Sequence, residues 1–340
     1  MQPRATARLF ALSRQLNRRP ILSVCLRTRT MSSTNANTLS AEPTATESKP
    51  EPVYNFPLSD IPRNPLGEGN FIKTAACLII GDEILNGKTL DRNSNYFARY
   101  CFEQGIELKR IEVIADDEEE IIEASRRMVQ NYDFVITSGG IGPTHDDITY
   151  ASLAKSFNQG LVHHQETLRR MAEMSKYRWA SLAQQNEEQR TARERMAFFP
   201  DKAEVLFVAP DLWVPVIRLE GKLCIFPGIP RLFQRMLTSL TPFLPLPPPH
   251  LRPFRQQVFT SQPESSIAPY LTELQAKYKE QGIRIGSYPL LSHGVYVSII
   301  GQDSETVQGI GKDVAAALDG RLVTDDEARE MAKQKEKGAV

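Results

Sequence analysis

Tyr132-Asp-Phe-Val-Ile-Thr-Ser-Gly-Gly-Ile-Gly-Pro-Thr-His-Asp-Asp-Ile-Thr149 decides the fold. It opens with a short β-branched run, Phe134-Val135-Ile136, of the kind that forms a buried strand. Gly139, Gly140, Gly142 and Pro143 then break it into a loop. The stretch ends in Asp146 and Asp147, just before a helical pattern that begins at Ile148. A strand, a glycine loop and a helix N-terminus together make an anion site, because glycine lets backbone N–H groups approach a phosphate. The paired acids suggest a divalent metal held against that phosphate.

Upstream, Ala75 to Ile80 reads as a strand that stops at Gly81-Asp82-Glu83. A helix from about Asn93 to Gln104 follows, then a more alternating strand from Ile106 to Ile114, and a helix running to about Asn131. Alternating strands and helices are the signature of an α/β fold with a doubly wound, mostly parallel sheet. Ligands of such sheets bind outside the carboxyl ends of the strands. If the first and third strands are neighbours, Asp82, Glu83, Asp146 and Asp147 converge on one cleft, a sensible arrangement for Mg²⁺, Mn²⁺ or Co²⁺. The five acids Asp116 to Glu120 are read as the first turn of a helix whose dipole they complement.

Residues 165–196 are expected to form one long charged helix, with Leu168, Met171, Ala172, Trp179 and Leu182 as its apolar stripe. Val205 to Phe226 reads as two or three strands, broken by Pro227-Gly228-Ile229-Pro230 before a helix to Leu240. This second strand–glycine–helix junction is expected to reach the same cleft. Residues 71–241 thus form the main domain, and six prolines in 242–253 mark a semi-rigid linker. Its other reading is a loop packed along the first domain. A βαββα pattern over 254–323 suggests a small C-terminal α+β domain, and 324–340 a disordered charged tail.

Residues 1–30 carry Arg4, Arg8, Arg14, Arg18, Arg19, Arg27 and Arg29 with no acid, and Leu9, Leu12 and Leu16 share one helical face. This is the pattern of a mitochondrial transit peptide, which implies the matrix, with a cytosolic form from initiation at Met31. Residues 31–70, rich in Ser, Thr, Pro and Glu, are expected to be a disordered linker. Formal net charge is zero, so no global basic field argues for nucleic acid. No apolar run is long enough to span a bilayer. Cys25, Cys77, Cys101 and Cys224 are scattered, which suits neither zinc nor a disulfide scaffold.

At these residues the chain resembles a known family. Gly81-Asp82-Glu83-Ile84-Leu85-x-Gly87, Asp91-x-Asn93-Ser94 and Ser138-Gly139-Gly140-Ile141-Gly142-Pro143-Thr144-x-Asp146-Asp147-Ile148-Thr149 resemble the molybdopterin-binding (MoaB/MogA-like) domain. The closer variant is that of CinA-type proteins and of the N-terminal half of two-domain eukaryotic FAD synthases. It shares Phe226-Pro227-Gly228-Ile229-Pro230, Ser266-Ile267-Ala268-Pro269 and Ile285-Gly286-Ser287-Tyr288-Pro289, so the similarity covers about 72–322. The resemblance implies a three-layer fold, a homo-oligomer, and metal-dependent hydrolysis of a dinucleotide pyrophosphate, FAD or ADP-ribose. Its alternatives are adenylylation of molybdopterin, or binding of a pterin or nucleotide without catalysis. The candidate phosphate- and nucleotide-binding set is Gly81, Asn93, Ser94, Ser138, Gly139, Gly140, Gly142, Thr144, Pro227 and Gly228. The candidate catalytic and metal set is Asp82, Glu83, Asp146 and Asp147.

Structural readings stand beside these. Thr144 and Asp147 fit a capping box, which leaves Asp146 the better metal candidate. Asn93 and Ser94 read equally well as a helix N-cap, and Asp82 and Glu83 could cap the helix that follows them. His145 is a loop histidine or a general acid, and His163-His164 is expected at a helix N-terminus rather than on a metal.

Overall fold

The computed structural model describes residues 54–178, 185–290, 293–328 and 330. The transit-peptide expectation for 1–30, Met31 and most of the expected linker, Trp179 and Leu182, and most of the tail lie outside the described residues. In chain order the larger domain contains β1 (Thr74–Ile80), α1 (Asp82–Leu85), α2 (Asn93–Gln104), β2 (Glu107–Ile114), α3 (Glu118–Asn131), β3 (Phe134–Ser138) and α4 (Thr149–Ser156). There follow β4 (Leu161–His163), α5 (Gln165–Arg178), α6 (Glu187–Glu194), β5 (Phe198–Pro200), β6 (Glu204–Leu206), β7 (Val216–Leu219), β8 (Leu223–Phe226) and α7 (Pro230–Leu240).

The main sheet has six strands in the order β2-β1-β3-β8-β7-β6. β2, β1, β3 and β8 run parallel, and β7 and β6 close the far edge antiparallel. Every residue of β3 is buried, and β1 is buried from Ala75 onward, as continuous apolar strands covered on both faces must be. Edge strand β2 is partly exposed along most of its length, without the regular alternation expected of it, and only Ile114 is buried. On one face Cys77, Ile79, Phe134 and Ile136 pack against Phe97 of α2 and Phe233 and Leu237 of α7. On the other, Leu78, Ile80 and Val135 pack against Ile121 and Met128 of α3 and Leu153 of α4. The result is the three-layer, mostly parallel α/β arrangement expected from the strand–helix alternation. β1 leads through α2 to β2 on one side, and β2 leads back through α3 to β3 on the other side of β1, so the sheet's switch point lies between β1 and β3.

Four expectations are corrected. Residues 54–70 do not behave as a free linker. Phe56 is buried, its N–H donates to Pro210 O at 2.8 Å, and Ser59 N–H donates to Phe207 O at 3.0 Å. The buried Arg170 guanidinium lies between the Phe56 and Phe207 rings, 5.0 and 3.6 Å from their centroids, and donates to Pro57 O. The single helix over 165–196 is two, α5 and α6, with Asn186 and Gln189 forming a capping box at the start of the second. The proline-rich 242–253 packs along the first domain: Phe243 is buried, and Ile72 N–H donates to Pro245 O at 2.8 Å. In the tail, residues 325–328 are helical, and Ala328 is buried beside Tyr296.

The small domain comprises β9 (Phe254–Thr260), α8 (Glu264–Tyr278), β10 (Arg284–Leu290), β11 (Gly294–Gly301), α9 (Ser304–Ala317) and β12 (Arg321–Val323). Its sheet has the order β10-β11-β9-β12 and is antiparallel. The alternate residues Val258, Val297 and Ile299 bury one face against Ile267 of α8 and Val307 and Val314 of α9.

His164 caps α5, as expected of a helix N-terminus, whereas His163 ends β4 instead. The His164 Nδ1 accepts from Thr167 N–H at 3.3 Å, so Nε2 carries the ring hydrogen. Burial holds its pKa below the ordinary value near 6.5. The unfolded chain therefore takes up the proton first, and stability falls as pH drops through about 6.5. His164→Asn, which keeps a capping oxygen but cannot titrate there, is expected to flatten that limb of the stability–pH curve measured by urea unfolding between pH 5 and 7.

Candidate active site

The candidate site is built where β1, β2, β3 and β8 end. β1 and β3 are neighbours, with Ile79 opposite Ser138. Gly139 follows immediately at φ 114°, and a Cβ there would lie 2.0 Å from Ile80 O. Gly140 takes φ 63°, and its missing Cβ would meet the Thr149 hydroxyl at 2.3 Å. Each of these two glycines thus has a packing reason, which the bare count of glycines did not reveal. Gly139 N–H donates to Phe226 O at 3.2 Å, which brings the end of β8 to the same point.

Asn93 ties these ends together. Its amide donates to Ser138 Oγ at 2.9 Å and to Gly228 O at 2.8 Å, and Ser138 Oγ lies 3.2 Å from Pro227 O. Asp91, rather than Asn93 or Ser94, caps α2, accepting from both of their N–H groups at 2.9 and 3.0 Å. The buried Ser138, Asn93 and Pro227 therefore form one junction with the exposed Gly228 at the glycine loop.

The acids divide into two kinds. Asp147 turns into the loop, where its carboxylate accepts from Gly142 N–H at 2.6 Å, from Thr144 N–H at 2.9 Å and from the Thr144 hydroxyl. The expected capping box is therefore not formed: α4 begins only at Thr149 with no side-chain cap, and Thr144 and Asp147 instead close a turn within the loop. Gly142 leaves room for that carboxylate, since a Cβ there would come within 2.5 Å of it. Asp147 is thus a loop-forming residue in this structure. Asp82 and Glu83 begin the short helix α1, and Asp146 lies exposed on the loop.

A residue that sequence reasoning missed joins them. Asp116 follows β2, and its carboxylate accepts from Asp82 N–H at 3.0 Å. Burial pushes the Asp116 carboxyl up; the Asp82 N–H opposes this, and the negative charges of Asp82, Glu83 and Asp146 push the same way as burial. Asp117 is the residue that caps α3, accepting from Glu120 N–H at 3.0 Å. The helix-dipole reading therefore holds from Asp117 onward and fails at Asp116. The signal was available, since Asp116 sits at the carboxyl edge of a parallel strand just as Asp82 does.

Among the described residues no three acids, histidines or cysteines stand close enough to hold a metal by themselves. His145 lines a cleft of about 580 Å³ between Pro143 on the loop and Thr191 and Arg195 at α6. Cys77, Cys101 and Cys224 are buried and free.

Fold and site together define a doubly wound α/β domain with a glycine loop and a group of carboxylates at its switch point. A family described as probable molybdopterin binding domain matches residues 76–246, and one described as FAD synthase, middle domain, matches 252–327. The chain belongs to the molybdopterin-binding-domain family. It is 31% identical over 266 residues to a probable FAD synthase of Caenorhabditis elegans, covering 74% of this chain and 51% of that protein. The chain thus spans about half the length of that relative. It is 33% identical to a Pyrococcus horikoshii protein, covering 68% of this chain and 91% of the other. The crystal structure of CinA from Thermoplasma acidophilum superimposes with a TM-score of 0.44 at 29% identity, covering 50% of this chain and 97% of that one. Among the described residues no helix is long and apolar enough to cross a membrane.

Proposed function

We propose that the chain hydrolyses a dinucleotide pyrophosphate, giving FMN and AMP from FAD or ribose phosphate and AMP from ADP-ribose. The observation that carries this reading is the gathering of Asp82, Glu83, Asp116 and Asp146 beside the glycine loop, where Asp116 accepts from Asp82 N–H at 3.0 Å and the other three charges add to the burial that raises its carboxyl. Relatives named FAD synthase and the FAD synthase middle domain over 252–327 support a flavin dinucleotide as the substrate class.

The electrostatics constrain the chemistry. Several carboxylates facing a pyrophosphate repel it unless a cation lies between them. The donor set fits a hard divalent ion, because it is all oxygen. A magnesium-type ion is commonly held by one or two carboxylates together with substrate phosphate oxygens, and this does not require three acids in place beforehand. Asp82, Glu83 and Asp146, with Asp116 behind Asp82, are the residues that would hold it. When bound, such an ion neutralises charge on the phosphates and lowers the pKa of a water. The chain's own part is positional. Asp116 fixes the backbone at the start of α1, Asn93 locks the ends of β3 and β8, and Asp147 holds the loop closed.

Liquid chromatography of products tests the reading, with the purified full chain, FAD or ADP-ribose, and Mg²⁺, Mn²⁺ or Co²⁺. AMP with FMN or with ribose phosphate is the expected result. A folded preparation that releases neither overturns it, and AMP joined to a pterin would assign the same cleft to adenylyl transfer.

A further inference from the structure

The small sheet buries one face against α8 and α9; its second face carries the alternate residues. Cross-strand register arranges these in rows. Tyr288 pairs with Tyr296 and Tyr296 with Phe259, an aromatic row. Arg284 pairs with Ile300 and Ile300 with Arg255, a cationic row, with Gly286 and Ser298 between the two. Residues near Val323 and Ala328 cover the Tyr296–Phe259 end. At the other end, α2 and the start of β2 lie over the face and leave a cavity of about 400 Å³, lined by Phe102 and Leu108 on one side and by Arg255, Arg284, Gly286 and Tyr288 on the other.

Three features make this more than a gap between domains. Tyr288 is 59% exposed, and its ring leans back over Gly286, where an added Cβ would lie 3.5 Å from the ring edge and hydroxyl. The Arg255 guanidinium stacks on the Phe102 ring at 3.9 Å, reaches Asp325 at only 3.5 Å, and keeps its Nε–H buried without an acceptor. Arg284 is exposed, and no ion pair engages it among the described residues. The acid facing them, Glu107, is paired with Lys109 at 2.8 Å.

An exposed aromatic ring, a glycine floor and two arginines within one cavity are complementary to a planar ring joined to a phosphate. The volume lies in the range of small-ligand sites. We propose that this interdomain cavity binds a mononucleotide, its ring stacked on Tyr288 and its phosphate held between Arg284 and Arg255. The cavity meets α2 at Ala98 and Phe102, whereas Asn93 at the N-terminal end belongs to the candidate active site; the nine-residue rise from Asn93 to Phe102 is about 14 Å along the axis. Its assignment therefore stands whether or not hydrolysis occurs at the far edge.

The test is titration of the full chain with FMN and with AMP in the presence of a chelator, followed by flavin fluorescence and by calorimetry. Binding of FMN with quenched emission is expected. Tyr288→Ala and Arg284→Glu, both at exposed positions, should each raise Kd by roughly 10-fold or more, while Asp146→Ala leaves Kd unchanged. Failure of both nucleotides to bind at about millimolar concentration overturns the proposal. So does binding that survives either cavity variant in a folded protein, or binding lost in Asp146→Ala.

Discussion

Asp146→Ala is expected to lower turnover of the dinucleotide by at least about 100-fold, the scale for losing one preorganised electrostatic contact in a reaction centre. It should leave the melting temperature within about 2 °C, because surface substitutions away from packing usually cost under about 0.5 kcal/mol. The side chain is exposed, and the backbone carbonyl that accepts from Ile148 N–H at 2.9 Å is kept by alanine. Asp147→Ala is the converse case. It strands the N–H groups of Gly142 and Thr144 and the Thr144 hydroxyl, at a cost of about 2–3 kcal/mol for charged hydrogen bonds in a half-buried loop. Activity would then fall through loss of loop shape, with a matching drop in thermal stability. Product assays and melts on both variants separate the two roles. An active Asp146→Ala protein would remove the carboxylate-centred mechanism, whatever Asp147 does.

Most of this division could be read in the sequence, and the part that could not has a physical cause. The β1 and β3 runs, the Gly81-Asp82-Glu83 stop and the 139–147 loop are local signals, and the adjacency they needed is present in the sheet. The Thr144-x-x-Asp147 spacing also foretold the bond that closes the loop. Asp116 was hidden inside a run of five acids, where a helix cap explains four and a strand end explains the first. Residues 54–59 were absorbed into the polar average of 31–70, because the partner of Phe56 is Arg170, more than a hundred positions away. No local pattern announces a cation–π contact with so distant a residue. The proline-rich 242–253 failed similarly: composition reports stiffness, but whether Phe243 finds a pocket depends on the whole domain. The glycines show the same limit, since what each one avoids belongs to another strand or to a side chain that only folding brings near.

Gly139→Ala is the substitution expected to cost the fold most. Gly139 holds φ 114°, outside the range L-residues adopt without strain, and the new Cβ would sit 2.0 Å from Ile80 O. Neither partner can give way easily. Ile80 ends the central strand β1 and is buried, and Gly139 is itself held to Phe226 O. Gly228 closes the third side, since a Cβ there would lie 3.5 Å from Gly139 Cα. Backbone strain and overlap together should cost about 3–5 kcal/mol, lowering the melting temperature by on the order of 10 °C. Gly87→Ala is the control: φ is 76°, but nothing lies within 4 Å of the added Cβ, so only the left-handed conformation is penalised, at about 1–2 kcal/mol. Thermal unfolding of the two variants isolates the contribution of the Ile80 carbonyl. Equal shifts would mean that β1 and β3 do not approach as closely as 2.0 Å implies. A much larger shift for Gly139→Ala would establish that the loop's first glycine is required by the closing of the sheet's switch point. Its presence at this position would then follow from geometry, with any phosphate contact falling to the residues after it.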